Sequence, residues 1–193
     1  YVMEEPLAAA VGANVDVYEA KGNMVVDIGG GTTDIAVVSL GGAVESSSIK
    51  YAGDDYNNAL IKYARRKYNL LIGDQTAENA KLAIGSVMKR EEDVAYDIKG
   101  RDLIKGLPKA VTITANETVD AFEETTNHIL GAIHNVLETA PPELVSDIAV
   151  SGIVLTGGGS LIYGLDKLIK ERTGIDAYIS EKALEAVALG AGM

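Results

Sequence analysis

Apolar residues follow two different periods along this chain, and the mixture predicts an α/β architecture. Residues 23–51, "NMVVDIGGGTTDIAVVSLGGAVESSSIKY", contain three β-branched runs separated by glycine turns, which is typical of strands. Residues 54–69, "DDYNNALIKYARRKYN", instead carry apolar side chains at helical spacing. The face that these side chains share consists of Leu60, Ile61, Ala64 and Tyr68.

The rest of the chain continues this mixture of strands and helices. We predict a short helix in "EEPLAAAVGA", a helix in "TAENAKLAIGSV" with Thr76 as a possible N-cap, and strands at 94–99 and 110–114. A long helix over 116–138 should end at Pro141 and Pro142. After it come a strand, a glycine turn and a helix in "SGIVLTGGGSLIYGLDKLIKERTG", a strand in "IDAYIS" and a helix in "KALEAVALGAG". Residues 53–114 are expected to form an inserted subdomain.

Composition excludes several kinds of protein. The 193 residues are 47% apolar, enough for a sizeable core, and no apolar run approaches the roughly 18 residues that a membrane helix requires. A net charge of −11 argues against a nucleic-acid partner, which needs clustered lysine and arginine. Cysteine is absent, and the two histidines lie six residues apart in a predicted helix, on opposite faces. We therefore expect neither thiolate chemistry nor a histidine metal site.

The run Gly29–Gly31 is longer than a hairpin needs. Backbone N–H groups hold an anion well, and residues without a Cβ let the backbone approach it closely. With Thr32 after them, these glycines could wrap around a phosphate tail. Asp27, at the end of the first strand, would then face the phosphates through Mg²⁺ held by waters. The alternative is a tight hairpin in which Asp27 and Asp34 only cap the turn.

A second run, Gly157, Gly158 and Gly159, also follows an apolar strand. Ser160 comes next, at a plausible helix N-cap. Backbone this bare can lie against a flat ring such as adenine. Two glycine-rich strand ends followed by hydroxyl residues favour a site for the two ends of a nucleotide.

Three further charged residues each allow two interpretations. Glu78 and Lys81 are three apart on one predicted helix, so they either form an ordinary surface salt pair or contact a ligand. Glu5 precedes a proline at a helix start, where a carboxylate caps the helix or orients water beside a γ-phosphate. Asp34 is interpreted as structural.

These motifs resemble the actin-like ATPase superfamily, whose fold is ribonuclease H-like. "EEPLAAAVGA" resembles its helix with the catalytic glutamate, "VVDIGGGTTDIAVVSLGG" its second phosphate hairpin, and "GIVLTGGGSLIYGLDKLIKERTG" its adenosine motif. Within the superfamily, "KYNLLIGDQTAENAKLAIGS" and "GRDLIKGLPKAVTIT" resemble the MreB family of bacterial cytoskeletal proteins. The resemblance covers nearly the whole chain.

The resemblance implies ATP or ADP with Mg²⁺ as cofactors and a role for each motif. Glu5 would position the attacking water, and Asp27 would hold Mg²⁺ through its water shell. Glu78 and Lys81 would contact the ribose and the adenine edge. The residues implied around the β- and γ-phosphates are Gly29, Gly30, Gly31 and Thr32, with Thr32 also near the water. Those implied around adenosine are Gly157, Gly158, Gly159, Ser160 and Leu161. The implied reaction is in-line attack of water on the γ-phosphate.

The family fold has two similar halves with ATP between them, and only one phosphate hairpin is present here. The resemblance therefore implies domain II alone, with subdomain IIA at 1–52 and 115–193 and subdomain IIB at 53–114. We expect ATP hydrolysis of the intact protein, and weak nucleotide binding without turnover of this chain alone.

The function implied is an ATP-dependent filament for cell-shape determination. The implied partners are other filament protomers, the missing domain I, and cell-wall or shape-determining proteins, without nucleic acid or membrane contact by this chain. The implied location is the cytoplasm. For the intact protein, the inner face of the membrane is an alternative location. A chaperone-type nucleotide switch, a small-molecule kinase and an independent interaction module remain alternatives. The "TTDIAVVSLGG" hairpin and the compact insert argue against the chaperone.

Overall fold

The computed structural model describes residues 5–192, which form helices and strands in a mixed order. The helices are α1 Glu5–Gly12, α2 Gly53–Tyr68, α3 Asp74–Ile84, α4 Ala115–Thr139, α5 Pro142–Ser151, α6 Leu165–Thr173 and α7 Ala186–Ala191. The strands are β1 Asn23–Ile28, β2 Thr33–Ser39, β3 Gly42–Ile49, β4 Leu70–Leu71, β5 Ala95–Asp102, β6 Pro108–Thr114, β7 Ile153–Thr156 and β8 Ala177–Ile179. This mixture confirms the α/β class.

The chain divides into two compact units. Unit 1 contains the chain up to Gly53, His128–Leu161 and the chain from Asp166 onward, and unit 2 contains Asp54–Asn127 and Ile162–Leu165. Helix α4 thus contributes to both units. The subdomain boundaries expected at 53 and 114 stay a prediction. Within residues 5–192, no helix is both long enough and apolar enough to span a membrane.

Unit 1 is built on a five-stranded sheet with the order β3-β2-β1-β7-β8. Strands β1, β2 and β3 form an antiparallel meander, whereas β1 pairs with β7, and β7 with β8, in parallel. Strand β1 is buried from Met24 to Ile28 because the sheet is covered on both faces. Helix α1 covers one face, where Ala9 and Ala10 pack in a cluster with Val25 and Val154.

Helices α1 and α7 contact each other closely through glycine. A Cβ on Gly12 would lie 1.7 Å from the carbonyl oxygen of Ala186, and a Cβ on Gly190 would lie 1.8 Å from that of Ala8. Both distances are far below van der Waals contact, so each helix presents a bare backbone to the other. This contact ties α7 to the sheet through α1.

Unit 2 combines the sheet β4-β5-β6 with helices α2 and α3 and the first half of α4. Tyr56 and Phe122, both fully buried, meet edge to face with their ring centroids 4.7 Å apart. The Tyr56 hydroxyl lies 3.2 Å from Thr126 Oγ1. Burial raises the pKa of Tyr56 to about 12. An aromatic pair with a satisfied hydroxyl forms the centre of this unit.

The structure corrects one local prediction and adds two elements that were not predicted. Helix α3 begins at Asp74 after Gly73, so Thr76 lies inside the helix and is not its N-cap. Strand β4 is only two residues long and was not predicted. Helix α5 was not predicted either: Pro142 stands in its first turn, so the two prolines end α4 and also begin a new helix.

A cluster around Glu117 joins the start of α4 to the end of α2. Glu117 Oε2 accepts a hydrogen bond from the Thr114 N–H at 2.8 Å, which is half of a capping box. Glu117 Oε1 accepts hydrogen bonds from Lys67 and from the Tyr68 hydroxyl. Burial by itself raises the pKa of Glu117, but these hydrogen bonds outweigh it and bring the pKa to about 2.

The contact between α1 and α7 predicts that Gly190→Ala is destabilising. The added methyl would meet the Ala8 carbonyl, so we expect a loss of about 1–3 kcal/mol in the free energy of unfolding, measured by denaturant titration. Gly131→Ala is the control. It places the same methyl in the body of α4 with no atom within 4 Å, and should stabilise the protein by up to about 1 kcal/mol. Equal stability of the two variants would contradict this packing.

The low pKa of Glu117 predicts an acid-sensitive unit 2. A carboxylate with a pKa of 4.5 when unfolded and about 2 when folded adds stability above pH 4.5, and this contribution disappears as the pH falls towards 2. Glu117→Gln should therefore cost about 1–3 kcal/mol at neutral pH and lose this part of the acid dependence. Unfolding followed against pH measures both effects. Glu123→Gln, on the exposed face of the same helix, should change neither.

Candidate functional site

The parallel pairing of β1 and β7 brings the two glycine runs to the same edge of the sheet. Asp27 of β1 stands opposite Thr156 of β7 in the register, and the Thr156 hydroxyl donates a hydrogen bond of 3.0 Å to Asp27 Oδ1. The chain enters Gly29–Gly31 after β1 and Gly157–Gly159 after β7. Both runs therefore follow the carboxyl ends of neighbouring parallel strands, where α/β proteins bind ligands.

The first glycine run forms the turn between β1 and β2. The Gly29 N–H donates to the Thr32 carbonyl at 3.0 Å and closes the hairpin, while the Gly29 carbonyl accepts from the Gly53 N–H at 2.9 Å. Gly30, Gly31 and Thr32 are exposed. The hairpin alternative is therefore correct as a description of the backbone, but it leaves open why the exposed residues are glycine.

Gly31 is one of these exposed glycines, and the fold does not explain why it is glycine. Its φ lies outside the left-handed region, and a Cβ built on it meets no atom within 4 Å. Neither backbone conformation nor packing within the described chain requires glycine here. A small residue that the fold does not need is the expected feature where a ligand approaches the backbone.

The second glycine run has the opposite character. Gly157 has a φ of +79°, and its Cβ would lie 2.3 Å from the Ile28 carbonyl oxygen and 2.6 Å from Asp27 Oδ1. A Cβ on Gly159 would lie 2.3 Å from Ile28 Cγ2. These two glycines allow the turn after β7 to pack against the end of β1, so the fold itself requires them.

Ser160 does not have the predicted place at a helix N-cap. It lies inside a 3-10 turn, Gly158–Leu161, and its hydroxyl donates a 2.6 Å hydrogen bond to the Gly157 carbonyl, whereas α6 begins only at Leu165. The serine is buried and stabilises the glycine turn from within. Its side chain therefore supports the turn and does not face outward.

Two exposed leucines lie beside this turn. Leu161 is 50% exposed and lines a cavity of about 230 Å³ together with residues 180–185. Leu184, 73% exposed, lies 3.4 Å from the position that a Cβ on Gly158 would take. Two exposed leucines beside bare backbone form an apolar surface of the kind that a flat ring can cover.

Asp27 is the buried carboxyl group at this edge of the sheet, and its pKa is raised. Burial raises the pKa of its carboxyl, the hydrogen bond from Thr156 opposes that rise, and the negative charges of Glu5 and Asp34 add to it. Glu5 is the exposed first residue of α1, and Asp34 pairs with Asp27 across the hairpin. The carboxyl groups of Glu5 and Asp34 therefore make the surroundings of Asp27 more negative.

Glu78 and Lys81 lie in unit 2, on α3. The Lys81 ammonium donates to Glu78 Oε2 at 2.7 Å, as their spacing predicts. The Lys81 side chain is only 9% exposed and that of Glu78 is 36% exposed, so this is not a fully solvated surface pair. The hydrogen bond from Lys81 is the main reason that the pKa of Glu78 is lowered; burial opposes it, and a hydrogen bond from Asn57 adds to it.

Two polar residues at these sites were not found by sequence reasoning. Thr156 holds Asp27, and its position as the last residue of a strand beside β1 could have revealed it only once the register was known. Asn57 donates to Glu78 from α2, and nothing in its sequence neighbourhood distinguishes it from Asn58. The role of Thr156 depends on a contact between β7 and β1, and that of Asn57 on a contact between α2 and α3.

Comparison with known proteins finds relatives along the whole chain. The MreB/Mbl protein family matches residues 1–193. The cell shape-determining protein MreB of Escherichia coli (strain K12) is 48% identical over 192 residues, which cover 100% of this chain and 55% of that protein. The chain spans between 55% and 58% of the length of such curated relatives.

Solved structures agree with the sequence match. A crystal structure of MreB5 of Spiroplasma citri bound to AMPPNP is 38% identical and has a TM-score of 0.95, over 98% of this chain and 57% of that one. A MamK double helical filament, 24% identical, has a TM-score of 0.80 over 97% of this chain and 57% of that one, and it shows the shared fold alone. The predicted actin-like fold is confirmed. Since the family match extends along the whole sequence, this chain belongs to the MreB/Mbl family.

Proposed function

We propose that this chain is the ATP-binding domain II of a bacterial actin-like cytoskeletal protein that forms ATP-dependent filaments and determines cell shape. The observation that carries the proposal is Gly31, an exposed glycine that the fold does not require, at the edge where β1 and β7 both end. The AMPPNP bound to Spiroplasma citri MreB5 supports a nucleotide as the ligand.

The two glycine turns of unit 1 divide the nucleotide between them. Gly29, Gly30, Gly31 and Thr32 would offer exposed backbone and a hydroxyl to the β- and γ-phosphates. Gly157–Gly159, with Leu161 beside them, would form the surface for adenosine, and Ser160 would hold that turn in shape. The bare backbone of the first turn suits an anion, and the exposed leucines beside the second suit a ring.

The residues around Asp27 suit a magnesium ion. Its buried carboxyl has a raised pKa and feels the negative charges of Glu5 and Asp34, so a divalent cation would relieve both the burial and the repulsion. We infer that Asp27 holds Mg²⁺ through its waters, with Thr156 fixing one carboxylate oxygen. When bound, Mg²⁺ neutralises charge on the β- and γ-phosphates.

Hydrolysis would belong to the longer protein. Glu5, at the start of α1, would orient the attacking water, and catalysis would come from positioning and electrostatic stabilisation without a covalent intermediate. This chain would bind ATP or ADP weakly by itself, because half of the phosphate donors would come from domain I. Glu78 and Lys81, on α3, would contact the ribose and the adenine edge.

Self-association and further partners follow from the same assignment. The description of Escherichia coli MreB as a cell shape-determining protein supports a cytoskeletal role of the intact protein. Domain I, other protomers and cell-wall or shape-determining proteins would be its partners in the cytoplasm. Sedimentation of the intact protein in ATP and in ADP tests this part: pelleting that depends on the nucleotide supports a filament, whereas ATP hydrolysis without any pelleting contradicts it.

Gly31→Ala tests the phosphate turn with a change that the fold tolerates. The added methyl meets no protein atom, so thermal stability should stay the same or rise slightly. Nucleotide binding by the chain, followed by NMR titration, should weaken by about tenfold or more because the methyl would stand where the phosphates approach. Gly42→Ala, also without an atom within 4 Å, is the control and should bind ATP as the wild type does. Unchanged ATP binding in Gly31→Ala would reject the phosphate assignment.

Asp27→Asn should make the chain more stable and less able to use magnesium. Folding raises the pKa of Asp27 above its ordinary value of 3.8, because the folded chain favours the protonated carboxyl. The folded chain is therefore most stable below pH 3.8, and this contribution to stability is lost as the pH rises through the raised pKa. At neutral pH the uncharged amide of Asp27→Asn avoids this loss of stability, so the midpoint of thermal unfolding should increase. Mg²⁺ should strengthen ATP binding by the wild type and have little effect on the variant. A variant that is less stable and keeps the Mg²⁺ dependence would contradict this role.

A further inference from the structure

Gly29 of the first glycine turn is held at both of its polar backbone groups. Its N–H donates to the Thr32 carbonyl at 3.0 Å, which closes the hairpin. Its carbonyl accepts from the Gly53 N–H at 2.9 Å, a bond that the hairpin itself does not need. Gly53 is the buried first residue of α2, and it belongs to unit 1 together with the turn.

The bond from Gly53 also determines the direction of the next N–H. In a trans peptide group, the carbonyl of one residue and the N–H of the following residue point in opposite directions. The described residues contain no cis peptide bond. Because the Gly29 carbonyl points at the buried Gly53, the Gly30 N–H points away from it. Gly30 is exposed, so its N–H is directed towards the surface where a ligand can approach.

The segment that carries Gly53 is fixed by its own contacts within unit 1. Thr33 is fully buried, and its hydroxyl donates to the Tyr51 carbonyl at 2.7 Å. The Tyr51 ring stacks on that of His128, with the ring centroids 3.8 Å apart and the planes 14° from parallel. A backbone carbonyl and a side chain just before Gly53 are thus both anchored. The Gly53 N–H is therefore a donor with a fixed position.

We propose that Gly53 is a positioning residue whose N–H fixes the Gly29 carbonyl and thereby directs the Gly30 N–H at the β- and γ-phosphates of the nucleotide. This inference rests on the proposed function, which assigns the phosphates to this turn. Gly53 acts through Gly29, to which its N–H is already bonded. A carbonyl that accepts a hydrogen bond polarises its peptide group, which makes the following N–H a stronger donor.

The glycines of the turn need such an anchor because they restrict their own backbone so little. Without a Cβ, Gly29 and Gly30 can exchange between several backbone conformations. Rotation of the peptide group between them would present a carbonyl oxygen to the phosphates in place of an N–H, and two groups with negative charge would then repel each other. A donor that is already oriented loses little freedom when the ligand binds. The bond from Gly53 therefore favours phosphate binding before the nucleotide arrives.

The test is a pair of NMR titrations of the 193-residue chain, with ATP and with AMP, both in Mg²⁺. AMP lacks the β- and γ-phosphates, so the ratio of the two affinities reports on the phosphate turn. Wild type should bind ATP about tenfold more tightly than AMP. Gly53→Pro removes the N–H at a helix position that proline favours, and should lower this ratio to about twofold, since one net hydrogen bond is worth about fivefold.

Asp74→Pro is the matched control. It removes the N–H from the first residue of α3, after Gly73, whose extended backbone suits a following proline. The ratio of ATP to AMP affinity should stay at the wild-type value. The Gly30 amide proton of the wild type gives a second measurement, which does not require Gly53→Pro to fold. ATP should shift this signal downfield, and AMP should shift it much less.

The outcomes separate this inference from the proposed function. If the wild type binds neither nucleotide, or binds both equally, the phosphate assignment and the inference are both wrong. If the ATP preference of the wild type remains in Gly53→Pro, or if ATP shifts the amide signals of Gly31 and Thr32 but not that of Gly30, the positioning role is wrong and the proposed function stands. A merely structural Gly53 would weaken ATP and AMP by the same factor and so leave their ratio unchanged.

Discussion

The parallel pairing of β1 with β7 is the constraint on which the site depends. It places Asp27 beside Thr156 and makes both glycine runs emerge at one edge of the sheet, although they are more than a hundred residues apart in the chain. Gly157 and Gly159 allow the second turn to lie directly against Ile28. A single methyl group at either glycine would push the second turn away from Ile28, and the two turns could then no longer bind one ligand. The geometry of the edge is thus set by close backbone packing, before any ligand contact is considered.

The same edge carries an electrostatic cost that packing does not explain. A buried aspartate with two acidic neighbours destabilises the folded chain at neutral pH, and the hydrogen bond from Thr156 compensates only in part. A fold can keep such a cost when a bound ligand offsets it. A divalent cation with a phosphate tail would offset the negative charge around Asp27. Unit 2 contains a second such cost, because the buried Asn57 donates to Glu78 while its own carbonyl oxygen has no hydrogen-bond partner within residues 5–192. Each unit thus contains a polar group whose burial destabilises the fold.

Much of the fold could be predicted from local sequence because its strands and helices have strong periods. The meander β1–β3 and the amphipathic helix α2 follow from the spacing of apolar residues, and the spacing of Glu78 and Lys81 predicts their ion pair. Helix α5 and the start of α3 were missed, since a proline pair and a glycine gave ambiguous boundaries. Ser160 was misplaced because a 3-10 turn and a helix start share the same residue types. Thr156 and Asn57 could not be predicted, because their roles arise only from tertiary contacts.

The central claim is that both glycine turns belong to one nucleotide site, and NMR mapping of Mg·ATP on the ¹⁵N-labelled chain tests it most directly. We expect the amide signals of Gly29–Gly31 and of Gly157–Gly159 to shift together and to reach saturation at the same ATP concentration, in the millimolar range. Shifts confined to one turn, or two turns that saturate at clearly different concentrations, would contradict a single site.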